Sequence, residues 1–111
     1  MDCKTGEKAG KLLEAIGEPA SLELLADECA ELAHAALKLA RAERGENPTP
    51  KTEGECMEEI YEEVADVLIS IELLEKCPWW DKSRMVTYYR NHMRRFMGRV
   101  KMKEEADAKE V

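Results

Sequence analysis

EEIYEEVADVLISIELLEK, residues 58–76, is the stretch that decides the fold. Ile60, Val64, Val67, Ile71 and Leu74 follow one another at spacings of four, three, four and three. That period lays side chains along one face of an α-helix and predicts a continuous packing seam. At about 100° per residue, Ala65, Ile69 and Leu73 form a second apolar patch on nearly the opposite side. Between the two runs a strip of Glu59, Glu63, Asp66 and Ser70. Carboxylates flanked by apolar surface are expected to be partly buried, and a buried carboxylate needs a partner. No Lys or Arg stands three or four residues from Glu63 or Asp66. The compensating charge must come from elsewhere.

The segment before it poses the same problem. In AIGEPASLELLADECAELAHAALKLARA, residues 15–42, the predicted apolar face is Leu22, Leu25, Cys29, Leu32, Ala33, Ala36 and Ala40. Glu28 sits at its edge between Leu24 and Leu32, and Glu31 lies on the same side one turn on. Asp27 points farther round, toward His34 and Lys38. Two helices thus each offer two carboxylates at i and i+3, a spacing at which both side chains reach one point beside the axis. Packed antiparallel, the helices would bring Glu28, Glu31, Glu63 and Asp66 together. Four such charges repel unless a divalent cation neutralises them. All-oxygen ligation suits Mg²⁺, with Mn²⁺ as a substitute, and disfavours zinc. An acidic i, i+3 pair is ordinarily a solvated helix face. Two pairs, each beside apolar surface and each without local counter-charge, favour the cation.

Working outward, turn chemistry delimits four helices. The first runs from Thr5 to Ile16 and stops at Gly17. Pro19 suits the first turn of the second, which extends from Ala20 to Glu43. The polar stretch Gly45-Glu46-Asn47-Pro48-Thr49-Pro50-Lys51-Thr52 breaks it as a loop. The third spans Glu53 to Lys76 and ends before Pro78. Asp81 is a candidate N-cap for the fourth, Lys82 to Glu104, after which EADAKEV is expected to fray.

Composition agrees with an all-α reading. Of the 111 residues 44% are hydrophobic, 37% charged and only 5% aromatic, a mixture that favours amphipathic helices over strands. No apolar run is long enough for a membrane span, and the N-terminus has no signal-peptide stretch. Cys3, Cys29, Cys56 and Cys77 form no CxxC pair and read as reduced thiols of a cytoplasmic protein. The net charge of −7 is uneven. Residues 1–81 hold 8 Lys/Arg and 20 Asp/Glu, a net of −12, whereas residues 82–111 hold 9 and 4, a net of +5. The acidic body argues against nucleic-acid binding. It suits a protein that concentrates cations and keeps one basic helix for an anion.

Asp27-Glu28-x-x-Glu31 and Glu63-x-x-Asp66 resemble the EExxE…ExxD signature of MazG-like nucleotide pyrophosphohydrolases, members of the all-α NTP pyrophosphatase superfamily with the dimeric dUTPases. The resemblance covers roughly Leu12 to Leu74, and the fourth helix loosely. It implies a single four-helix MazG-like domain over residues 1–111, with 104–111 as a tail, completed by assembly into a homodimer or homotetramer. It also implies a reaction: Mg²⁺-dependent cleavage of a nucleoside triphosphate to the monophosphate and pyrophosphate. Glu28, Glu31, Glu63 and Asp66 would hold the metal and serve catalysis. Which carboxylate orients the water is left open, and Glu59 or Glu62 would support the ligands or hold a further ion.

The sequence departs from the signature in places. Asp27 replaces its first Glu, Ser21 stands where many relatives carry Gln, and the linker between the two halves is somewhat long. His92 and Arg95 occupy the positions of a Lys and Arg three apart in the fourth helix.

In that helix Met85, Tyr89, Met93, Phe96 and Val100 mark an apolar face. Arg90, Arg94 and Lys101 share a side that could meet triphosphate oxygens, with Arg95 added by the resemblance. Lys38, on the carboxylate side, is a stronger phosphate candidate than Arg41. Trp79 and Trp80 are expected to close a subunit interface rather than stack on a base. Two rival readings keep the fold without the reaction: a nucleotide-binding or regulatory module with negligible turnover, and a helical interaction protein whose acidic strips pair with the basic helix.

Overall fold

The computed structural model describes residues 3–46 and 51–110. Asn47, Pro48, Thr49 and Pro50, on which the expected loop centres, lie outside the described residues. These form four helices and no strand: α1 (Cys3–Ile16), α2 (Glu18–Arg44), α3 (Glu53–Glu75) and α4 (Lys82–Glu110). The protein is all-α. Its expected frayed end is helical through Glu110, because Glu104 to Glu110 contains no Gly or Pro and spaces Glu105 four residues before Lys109.

One residue, Gly17, separates α1 from α2. Its φ of +86° is a left-handed value that a side chain would strain. Its N–H donates to the Leu13 carbonyl at 2.8 Å, closing α1. Its carbonyl accepts the Ser21 N–H at 3.1 Å and the Ser21 hydroxyl at 2.9 Å, opening α2. At the other end of α2, Gly45 takes φ +71°, and the N–H groups of Gly45 and Glu46 reach the carbonyls of Ala42 and Arg41. Thr52 and Glu55 cap α3 reciprocally, each side chain accepting the other's backbone N–H at 3.1 and 3.3 Å.

The chain divides into two compact units, Met1–Trp80 and Asp81–Val111. In the first, α2 packs chiefly against α3, and α1 contacts both. The inward line of α2 is Ser21, Leu25, Glu28, Leu32, Ala35 and Leu39; that of α3 is Cys56, Ile60, Glu63, Val67, Ser70 and Leu74. All are buried or half-buried. Both lines step four, three, four, three, four, the knobs-into-holes repeat of paired helices. Ser21, Ala35, Cys56 and Ser70 are the deepest positions on them, so the helices approach each other over small side chains. The Ser70 hydroxyl is satisfied by the Asp66 carbonyl at 3.0 Å.

This corrects the orientation expected from periodicity. On α3, Val64 and Ile69 are exposed, while Leu73, assigned to a lesser patch, is fully buried. On α2, Leu22, Cys29, Ala33 and Ala36 are exposed. Each helix is rotated so that its carboxylate-bearing strip forms part of the contact.

After α3, the Trp80 N–H donates to the Cys77 carbonyl at 3.0 Å, and the two tryptophan rings meet edge to face at 6.3 Å. The Trp79 indole N–H donates to the Glu18 carboxylate, tying the end of α3 to the start of α2. Burial, with Glu18 adding to it, raises the pKa of the Cys77 thiol above its ordinary value.

The second unit is α4 itself. Asp81 caps it as expected. Its Oδ1 accepts the Ser83 hydroxyl at 2.7 Å and the N–H groups of Ser83 and Arg84 at 3.0 and 3.2 Å. The Ser83 hydroxyl and then the Arg84 N–H hold the Asp81 carboxyl below the usual range.

Candidate metal centre

The packing of α2 on α3 gathers carboxylates that are far apart in sequence. Glu28 from α2 and Glu63 and Asp66 from α3 each present an oxygen within 4.8 Å of the other two. Glu28 and Glu63 are half-buried on the helix seam, and Asp66 is exposed at its rim. Glu63 and Asp66 are one turn apart on α3, so a single short patch of α2 faces both.

The electrostatics record this crowding. Glu28 has a raised pKa, first through desolvation, then through the charges of Asp66, Glu31 and Asp27, and through a hydrogen bond with the Asp66 side chain. Glu63 is raised as well, first by desolvation and then by Asp66, Glu31, Glu28 and Glu62. Carboxyl groups that share a site raise one another's pKa when nothing positive separates them.

Glu31 stands one step from the triad. It is exposed and lines a cavity of about 220 Å³ with His34, Ala35, Lys38, Glu59, Glu62 and Glu63. Glu59 is paired with two lysines: Lys38, at 3.6 Å from across the hairpin, and Lys51, which precedes α3. Lys51 escaped the sequence reading. It lies eight residues before Glu59 on the far side of a helix cap, a contact that helical spacing does not register. Arg90, Arg94 and Arg95 are exposed on α4, in the other unit.

The donor set can be tested against a cation. Three carboxylates on a partly open surface supply hard oxygen ligands and leave room for water, as Mg²⁺ and Mn²⁺ prefer. Oxygens sharing Mg²⁺ at about 2.1 Å lie about 3 to 4.2 Å apart. The triad therefore needs only a slight contraction, within reach of carboxylate rotation, to fit the ion. Comparison of the chain with family models, curated proteins and solved structures found no match.

Proposed function

We propose that the chain is a Mg²⁺-dependent nucleoside triphosphate pyrophosphohydrolase, acting as a homo-oligomer of two or four copies. Water attacks a phosphorus of the α–β phosphoanhydride; the monophosphate and pyrophosphate leave. The reading is carried by one observation: Glu28, Glu63 and Asp66, from two helices, converge, and crowding and desolvation push the pKa values of Glu28 and Glu63 upward. Such a cluster is destabilised until a cation joins it.

In this reading Glu28, Glu63 and Asp66 hold the ion, with Glu31 beside them as a further ligand or as acceptor of the water's proton. Held there, a divalent ion would supply Lewis-acid polarisation of the phosphoryl oxygens. Lys38, steered by Glu59, brings a positive charge to the edge of the cavity. That cavity suits part of a phosphate chain rather than a whole nucleotide, since whole-ligand pockets run to about 300 Å³ or more.

The deciding experiment measures pyrophosphate release from a panel of NTPs and dNTPs with Mg²⁺ or Mn²⁺, and identifies the products. Turnover to monophosphate that is abolished in Glu63→Ala supports the hydrolase. Tight nucleotide binding without turnover would replace it with a binding module.

A further inference from the structure

Glu59 holds two ammonium groups at once. Its Oε2 faces the Lys38 Nζ at 3.6 Å, and its Oε1 meets the Lys51 Nζ. One carboxylate between two lysines leaves a net positive charge at this point, on a wall that otherwise carries Glu31, Glu62 and Glu63. The two lysines arrive from different places in the chain. Lys38 comes from α2, and Lys51 directly precedes Thr52, whose capping box with Glu55 fixes the start of α3. Their side chains remain 44% and 43% exposed, and ion pairs so open add little to stability. Holding the fold together is therefore a weak account of them.

Their place along the hairpin supplies a stronger one. α2 and α3 run antiparallel, because Lys38 meets Glu59 whereas Glu28 meets Asp66. Glu59 precedes both Glu63 and Asp66 on α3, so the lysine pair lies about 6–10 Å from the triad along the helix axis. The cavity of about 220 Å³ occupies that interval. Glu63 belongs both to its lining and to the triad, while Lys38 and Glu59 line its other end. Carboxylates, a hollow and two ammonium groups thus follow one another in line. That order matches a phosphate chain with a divalent ion on one end and free terminal oxygens on the other. Resting on the hydrolase reading of the triad, we infer that Lys38 and Lys51 form the subsite for the terminal phosphates, the pyrophosphate leaving group. Glu59 is a stand-in acid that the phosphate displaces from both lysines. Ammonium groups suit this exchange, since each is a point charge on a flexible stem and trades one oxyanion for another. The phosphate chain then runs from the triad toward the start of α3, and Lys51 selects ligands long enough to reach it.

The test is calorimetric titration of the full chain with pyrophosphate and, separately, with a nucleoside monophosphate, both in Mg²⁺. It compares the wild type with Lys51→Ala, Lys51→Arg and Glu59→Gln, in variants whose circular dichroism matches the wild type. Lys51→Ala should weaken pyrophosphate binding about tenfold, the ordinary loss of one charged hydrogen bond, and leave the monophosphate unchanged. Lys51→Arg keeps the charge and should restore most of the affinity. Glu59→Gln keeps the shape and removes the competing charge, so pyrophosphate should bind about threefold more tightly. A Glu59 that only braced the lysines would give the opposite sign, because its loss would release both. Pyrophosphate binding that is absent from the wild type, indifferent to Lys51→Ala or weakened in Glu59→Gln overturns the subsite. Triphosphate turnover in that case leaves the hydrolase standing. Lysine-dependent pyrophosphate binding without turnover keeps the subsite and counts against the hydrolase alone.

Discussion

If the convergence of Glu28, Glu63 and Asp66 is a cation site, folding and cation binding must be linked, and Glu63→Gln must break that link. A ligand that binds only the folded state multiplies the folding equilibrium by one plus its concentration over its dissociation constant. At ten times that constant the factor is about eleven, a free energy of about RT ln 11. Unfolding entropy is about 2.1 cal/mol/K per residue, so over the roughly 80 residues of the first unit Tm should rise by about 8 °C. Thermal melts by circular dichroism at pH 7.5, across a Mg²⁺ titration, measure this directly. Sodium chloride at matched ionic strength controls for screening of the acidic body.

In Glu63→Gln two effects should separate. Desolvation and neighbouring carboxylates raise the Glu63 pKa, so the folded state disfavours its charge. The neutral amide should therefore melt at or above the wild type without divalent cation. With Mg²⁺ it should gain little, having lost one ligand oxygen, and the order of stabilities should reverse. A variant that keeps the whole Mg²⁺ shift, or a wild type that responds equally to sodium chloride, would refute the reasoning.

The same cluster fixes a pH dependence. Glu28 and Glu63 are raised in the folded state, so between the ordinary glutamate pKa and their raised values the folded chain binds more protons than the unfolded one. Stability from these groups is present below the ordinary value and lost as pH rises through the raised ones. Without divalent cation, Tm should increase as pH is lowered from neutrality toward the ordinary glutamate pKa, and saturating Mg²⁺ should flatten that slope; thermal melts at stepped pH check both. Leu73→Ala, removing a fully enclosed side chain, should cost about 3 kcal/mol by urea denaturation with helix content retained. Thr52→Ala removes one half of the α3 capping box and should cost about 1 kcal/mol in the same assay. Lys38→Ala should raise KM for the triphosphate several-fold with a smaller change in kcat, since Lys38 lies beside the carboxylates and outside the triad.

The sequence by itself determined where the helices run. Gly17, Gly45 and Pro78 stop them, Asp81 caps one, and the Thr52-x-x-Glu55 box was legible although periodicity drew attention away from it. It also determined that Glu28, Glu31, Glu63 and Asp66 were anomalous, because each sits beside apolar surface with no cation a turn away. Only the tertiary structure decided which edge of each apolar arc turns inward. The apolar arc of α2 spans roughly half its circumference, with Leu25 and Leu32 on one side and Cys29, Ala33 and Ala36 on the other. A period of 3.6 ranks neither edge above the other. The choice fell to the partner helix, where small Ser21, Ala35, Cys56 and Ser70 permit close approach and draw Glu28 and Glu63 onto the seam. That rotation separates Glu31 from the triad and commits Glu59 to Lys38 and Lys51. Neither follows from spacing along one helix, because each depends on the angle at which two helices meet.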